Sequence, residues 1–373
     1  MYRLSRVIPL SVLGLVACVG EPVSTPTEPS FAASGNAPIY LVTFRPDVSD
    51  VPGAAADVAR GNGLALRHVR THAARGFSAV IPDVRIDAVR NDSRVLRVER
   101  DGPVSLIRPV IDRGKPGGGG GGAQVIPWGI TRVGGAGDGT GKTAWIIDTG
   151  IDLDHPDLNT GRSCHVAFTG RSPDDQNGHG THVAGTIAAI NNSIGVVGVA
   201  ANAFVCSVRV LGPSGSGTWE AVVNGVDYVA ANGANGDVAN MSLGGSGANA
   251  TLEQAIADAA AGGVSFALAA GNEGDFAGDH TPARLNAPNV VTVSAIDANG
   301  CMPSWSNWGN PPVDWAAPGV SILSTYKGGG TSTLSGTSMA TPHVAGLLLL
   351  GPVRQDGSAC NDPDGNPDPI AHR

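Results

Sequence analysis

The sequence predicts an α/β fold, a mostly parallel sheet with helices on both faces, preceded by a small α+β unit of ferredoxin-like kind. Three observations carry this. From Gln124 on, apolar runs at 143–147, 205–211, 238–241, 264–269 and 290–295 alternate with helix-compatible stretches, the pattern of a parallel sheet covered on both sides. Residues 39–106 read strand, helix, strand, helix, strand, which suits a unit of that smaller size. Between the two lies Gly117–Gly122, six glycines in a row and a natural exposed linker. A length of 373 residues agrees, at roughly 150 residues per domain, with one large body and something smaller.

The elements follow in chain order. Arg3 and Arg6 precede the apolar stretch 7–17, the layout of an export signal and too short to span a membrane. It closes on Leu15-Val16-Ala17-Cys18, which resembles the bacterial lipobox and marks Cys18 for lipidation. Residues 1–18 are thus expected to be a signal peptide, and 19–38, rich in Pro, Ser, Thr and Ala, a tether. Strands are expected at Ile39–Phe44, 77–81 and 95–99, with helices at 54–60 and 84–91. Residues 107–123 form the linker, 124–350 the main domain, and 351–373 a Pro- and Asp-rich tail with no regular structure expected.

Composition narrows the function. Twenty-four Lys and Arg against 32 Asp and Glu give a net charge of −8. That balance argues against nucleic acid, whose phosphates need a basic face. The charge is also divided. Residues 39–108 carry eleven Arg and eight acids, +3, while 123–373 carry nine basic residues and twenty-one acids, −12. Two bodies of opposite sign attract, so the small unit is expected to dock on the large one. Beyond Cys18, four cysteines remain: Cys164, Cys206, Cys301 and Cys360. No CxxC pair is present, so they read as disulfides of an exported chain rather than zinc ligands. Of the three connectivities, Cys164–Cys206 with Cys301–Cys360 is favoured.

Three segments carry chemistry. Asp148 ends the run Ala144-Trp145-Ile146-Ile147-Asp148, at the carboxyl end of a buried strand, where open α/β sheets build their sites. His179 stands in Asn177-Gly178-His179-Gly180-Thr181-His182, where a glycine loop enters a helix. Ser338 stands in Gly336-Thr337-Ser338-Met339-Ala340-Thr341-Pro342, at a helix start with Pro342 expected in the first turn. A serine hydroxyl becomes a nucleophile when an imidazole takes its proton, and a carboxylate fixes that imidazole. The order Asp, His, Ser is one of three chain orders on which this triad occurs. Zinc at His179 and His182 fits poorly, since the helical HExxH carboxylate is missing. The stretch 136–143 fits a relaxed phosphate-loop pattern, but it leads into a strand rather than out of one.

With their context, these segments resemble the subtilisin-like serine proteases, and the proteinase K branch in particular. The likeness runs from Pro127-Trp128-Gly129 to Gly346 and includes Asn240-Met241-Ser242-Leu243-Gly244-Gly245 and Ala269-Ala270-Gly271-Asn272. It implies a secreted serine endopeptidase working through an acyl-enzyme, with Asn272 as oxyanion-hole donor beside the Ser338 amide. Gly215, Ser216, Gly217, Ser242, Leu243 and Gly244 become backbone edges for an extended substrate. The first side-chain pocket then lies between Ser242–Gly244 and Ala269, Ala270 and Gly271, and favours apolar groups. Residues 39–106 become an inhibitor-like propeptide, and the chain a zymogen that cuts itself between Leu106 and Gln124, released to the exterior of a bacterial cell. Its partners are polypeptide substrates and its own propeptide, and it is expected to be monomeric.

The resemblance also implies structural calcium, with the backbone carbonyls of Pro288 and Val290 and the carboxylate of Asp314 as ligands, oxygen donors that suit a hard cation. Asp362-Pro363-Asp364-Gly365 resembles a calcium loop less closely, because its glycine falls at the wrong place for an EF-hand. No organic cofactor is expected. One departure is clear. The family continues with helices after the serine helix, and here only a short polar tail follows. The alternative is a catalytically silent, peptide-binding member of the same fold, which predicts a missing triad member, and none is missing.

Overall fold

A computed structural model describes residues 38–107 and 123–373. The export signal, Cys18, the tether and the glycine run lie outside the described residues.

Residues 39–100 form a four-stranded antiparallel sheet in the order Ala65–Arg70, Gly76–Val80, Ile39–Phe44, Val95–Arg100. The helices Val51–Asn62 and Asp83–Arg90 complete a βαββαβ unit. The sequence reading omitted the strand Ala65–Arg70, because four of its six residues are solvent-exposed and the segment ALRHVR carries no apolar run. Its register comes from the Gly76–Val80 strand, to which it pairs from Ala65↔Val80 to Arg70↔Gly76. The unit has its own core, built on Val42, Phe44, Val58, Phe77, Ile81 and Val89.

The main domain is built on a nine-stranded sheet. Seven of its strands, Val166–Ala167, Phe204–Arg209, Thr143–Asp148, Val238–Met241, Ser265–Ala269, Val290–Ile296 and Val313–Pro318, pair in parallel. Every residue of Thr143–Asp148 is buried, as a strand with helices on both faces requires. Trp219–Asn232 and Ala250–Ala261 contribute to one core cluster, His179–Ala188 and Thr337–Leu350 to another.

The tail corrects the expectation of irregular structure. Arg354–Ser358 and Pro369–His372 are strands, and the second pairs in parallel with Val313–Pro318 through Ala316↔Ile370. The departure after the serine helix is therefore made up by strands that extend the sheet. Short polar segments such as RQDGS give no apolar signal, and their partners lie across the tail: Arg354↔His372 and Gln355↔Ala371. Both favoured disulfides are present, Cys164–Cys206 and Cys301–Cys360, and the second anchors this tail.

Candidate active site

Of the three chemistry-bearing residues, Asp148 and His179 are hydrogen-bonded to each other, and among the described residues no hydrogen bond joins His179 to Ser338. Asp148 closes its strand and is fully buried. His179 opens the helix His179–Ala188. Gly178 precedes it at φ 113° and offers no capping side chain, so the buried Asp175 does that work. Its carboxylate accepts the N–H groups of Gly178 at 2.9 Å and Thr181 at 3.0 Å. Position 180 must be glycine, since a Cβ there would lie 2.1 Å from the Gly150 carbonyl oxygen. That close approach seats the helix on the loop after Asp148. His179 Nδ1 lies 2.9 and 3.0 Å from the two Asp148 oxygens, which orients the ring and points Nε2 away from Asp148. Nε2 is buried and, among the described residues, has no hydrogen-bond partner.

Ser338 is the second residue of the helix Thr337–Leu350 and is fully buried. Its Oγ donates to the carbonyls of Ile107, at 3.1 Å, and Ser242, at 3.3 Å. Pro342 is not in the first turn as expected; it stands inside the helix, four residues after Ser338. A proline there has no N–H to give the Ser338 carbonyl. The Ser242 hydroxyl donates to that carbonyl instead at 3.0 Å, and Asn240 Nδ2 donates to Ser242 Oγ at 2.9 Å. All three side chains are fully buried.

Asn272 is fixed from the same helix. Its Oδ1 accepts the N–H and the hydroxyl of Thr337, both at 2.9 Å, so the amide nitrogen is its donor end. The flanking loop is held by a residue the sequence reading did not single out. Asn307, fully buried, donates through Nδ2 to the Ala270 carbonyl at 3.1 Å and to Glu273 Oε2 at 2.8 Å. Its Oδ1 accepts from the N–H groups of Glu273 at 2.9 Å and Asp275 at 3.2 Å, and its own N–H donates to the Gly271 carbonyl at 3.0 Å. Asn307 thus grips the chain on both sides of Asn272.

The expected substrate edges are occupied by the chain itself. Pro103–Leu106 pairs antiparallel with Ser216–Thr218, in the register Ser216↔Ser105 and Gly217↔Val104. On its other side it pairs with Leu243–Ser246, as Leu243↔Leu106 and Gly244↔Ser105. Gly215 takes φ 77°, and a Cβ there would lie 2.6 Å from the Leu106 side chain. Beyond Leu106 a cavity of about 240 Å³ is lined by Ile107, Gly244, Ala270, Gly271, Thr281 and Ala283 among others. The expected pocket residues Ala269, Ala270 and Gly271 all line it, as do Leu243 and Gly244.

The small unit docks as its opposite charge suggested, but by fewer ion pairs than charge alone implies. Among the described residues Arg67–Glu220, at 2.8 Å, is the one ion pair between the two bodies. Ser78 Oγ also donates to Glu220, at 2.5 Å. Burial pushes the Glu220 carboxyl up, but the bonds from Arg67 and Ser78 outweigh it and hold the group below its ordinary value. Asp227 accepts the N–H groups of His72 and Ala73, Asp258 accepts that of Ala74, and two further carboxylates cap helices. Asp101 accepts the Glu220 N–H at 2.9 Å, and Glu99 accepts the N–H groups of Ala250 at 3.1 Å and Thr251 at 2.7 Å.

Of the expected calcium ligands, Asp314 is partly buried and accepts the Thr292 N–H at 2.8 Å. Burial raises its pKa, and that single backbone bond offsets the rise only in part. The Phe266 N–H takes the Asn289 carbonyl at 2.8 Å, so strand alternation turns the Val290 carbonyl toward Val313–Pro318, the strand of Asp314.

Comparison with known proteins agrees with this geometry. The family model described as the subtilase family matches residues 139–351. An alkaline protease of Alkalihalobacillus alcalophilus is 43% identical over 271 residues, 71% of this chain and 66% of its own length. Subtilisin Savinase of Lederbergia lenta is 46% identical over 234 residues, 61% of this chain and 84% of its own length. A crystal structure of a cold adapted subtilisin-like serine proteinase superposes with a TM-score of 0.58 at 39% identity, covering 67% of this chain and 98% of that one. The match thus spans slightly under two thirds of the length of the alkaline protease. With a family model over more than half of its residues and a subtilisin-like parallel sheet, this chain belongs to the subtilase family.

Proposed function

We propose that the chain is a secreted serine endopeptidase, made as a zymogen that cuts its own Ile107–Arg108 bond. The observation that carries this is the position of the Ile107 carbonyl, 3.1 Å from Ser338 Oγ, at the end of a strand gripped by both substrate edges. The scissile bond lies one residue beyond the 39–106 boundary read from the sequence and within the expected 106–124 interval.

In this reading Ser338 Oγ passes its proton to His179 Nε2 and attacks the carbonyl carbon, while Asp148 stabilises the imidazolium. The Ser338 N–H and Asn272 Nδ2 receive the oxyanion. The C–N bond then breaks, His179 returns the proton to the leaving amine, and water releases the acyl group from Ser338. The small walls of the 240 Å³ cavity suit apolar side chains, so cleavage is broad with an apolar preference. Residues 39–107 remain bound as an inhibitor until they are digested.

A calcium ion held by the Pro288 and Val290 carbonyls and Asp314 fits a carboxylate that burial leaves with one backbone donor. Export through the N-terminal signal, with a lipid at Cys18 of the precursor, completes the proposal.

The test is the intact mass of the exported protein beside Ser338→Ala. A wild type cut after Ile107 and an uncut variant establish nucleophile and self-maturation together. Equal full-length masses return the chain to the peptide-binding alternative.

A further inference from the structure

Glu273, Asp275 and His280 each bring one ligand atom within 4.8 Å of the other two. Among the described residues no other three acidic, histidine or cysteine side chains converge in this way. His280 Nε2 lies 2.7 Å from Asp275 Oδ1, and its Nδ1 lies 4.0 Å from Glu273 Oε2. Among the described residues no Lys or Arg forms an ion pair with either carboxylate. An imidazole that is only 12% exposed separates this group from a patch of surface acids.

All three residues stand on anchored backbone. Asn307 Oδ1 accepts the N–H groups of Glu273 and Asp275, and the Trp308 N–H donates to the Asp275 carbonyl at 3.1 Å. Asn307 Nδ2 also donates to Glu273 Oε2, which fixes that carboxylate from behind. His280 opens the short strand His280–Thr281, which pairs with the substrate edge Leu243–Ser246 through Ser246↔His280. Glu273 and His280 both line the 240 Å³ cavity. A Cβ on Gly271 would lie 2.6 Å from Glu273 Oε2, so this carboxylate lies against the cavity wall at Gly271.

We propose that Glu273, Asp275 and His280 bind a zinc ion at the rim of this cavity, and that the bound ion obstructs it. One imidazole nitrogen and two carboxylate oxygens suit Zn²⁺, whereas Ca²⁺ and Mg²⁺ take oxygen alone. Zinc bonds of about 2.0–2.2 Å hold neighbouring ligand atoms roughly 3.3 Å apart in a tetrahedron. The 2.7 Å contact between His280 and Asp275 therefore has only to lengthen slightly, while Glu273 closes in. Three protein ligands leave the fourth position to water. Asn307 is the outer partner that orients a ligand carboxylate. Binding stands on this geometry alone; obstruction rests on the proposed reading of the cavity as the substrate's side-chain pocket.

The test uses the untagged full-length Ser338→Ala protein, stripped of metal, returned to calcium and titrated with Zn²⁺ by calorimetry. Asp275→Asn/His280→Gln binds one zinc fewer than its parent, and Co²⁺ gives visible bands in the parent that the double variant lacks. Equal stoichiometry in the two proteins, or no zinc uptake by the parent, overturns the proposal. Glu273→Gln keeps the contact between His280 and Asp275 and weakens zinc roughly tenfold or more. Unchanged affinity in that variant overturns the proposal as well. Obstruction is read on the mature enzyme with a peptide amide, where zinc raises KM in the wild type and not in Asp275→Asn/His280→Gln. Zinc bound with an unaltered KM overturns the obstruction. An enzyme without activity leaves the calorimetry untouched, so failure of the site and failure of the functional reading are told apart.

Discussion

Pro342 stands four residues after Ser338 and leaves its carbonyl without a helical donor, and the Ser242 hydroxyl fills that position at 3.0 Å. The Ser338 backbone is therefore fixed by the residue linking the strands Val238–Met241 and Leu243–Ser246 as well as by its own helix. Asn240 holds the donor in turn.

Ser242→Ala removes that donor from a dry site, so stability falls by about 1–3 kcal/mol. A small shift of Ser338 is costly because the reacting atoms must stay aligned. The expected result is kcat lowered about tenfold with KM changed by less than about twofold, read from steady-state kinetics on a peptide amide. A change confined to KM would contradict the role.

Asn272→Ala removes the proposed side-chain oxyanion donor while the Ser338 N–H remains. The expected loss is about 10²–10³ in kcat, a magnitude measured for this donor in a subtilisin, a member of the same family, rather than obtained from this structure. An intact kcat would show that the amide nitrogen does not reach the oxyanion.

Asn307→Ala unfastens residues 270–275 on both sides of Asn272. Several buried groups lose partners at once, so stability falls by about 2–4 kcal/mol. Combined with Asn272→Ala it should cost little further kcat, because both changes act on the same donor. Fully additive losses in the four-variant cycle would assign Asn307 a different role.

The Arg67–Glu220 contact sets a pH dependence for the docked 39–107 unit, the proposed propeptide. Glu220 is held below its ordinary value of 4.5 in the complex, so its contribution is present above that value and lost as pH falls through the lowered one. Asp101 works the other way. Burial raises it from 3.8, so its contribution is present below 3.8 and fades as pH rises through the raised value. Glu220→Gln should weaken inhibition by the added propeptide near neutral pH and flatten the acid loss of affinity. A variant with the parent's pH profile would remove Glu220 from the account. Arg67 is 43% exposed, which keeps the effect modest.

The parallel sheet was legible, and the three residues proposed as catalytic were locatable on it, because each leaves a dense local signal: buried apolar runs ending in Asp148, and glycine turns entering helices at His179 and Ser338. Three other features rest on long-range partners. Ala65–Arg70 is mostly exposed and is a strand only because Gly76–Val80 lies beside it. The tail strands are polar or short and depend on the Val313–Pro318 edge and a disulfide. Asn307 lies 35 positions from Asn272 in the sequence, and its role appears only when both side chains of the loop come together in space. Pro342 was misplaced because the helix begins at Thr337, five residues earlier, and its tolerance comes from Ser242, a distant residue that links two strands.

The segment Pro103–Leu106 lies as the middle strand between two edges, and its pairing is made by main-chain atoms on both sides. A polypeptide can take that place only if four or so successive residues have surrendered their own internal hydrogen bonds. A residue inside a native helix or sheet has already committed those groups, so the cleft responds first to how far a target has unravelled and only then to its side chains. The rate at which such an enzyme consumes a folded protein is thus governed by that protein's own local opening equilibria. The same demand protects the enzyme, whose strands are nearly all paired within its sheets.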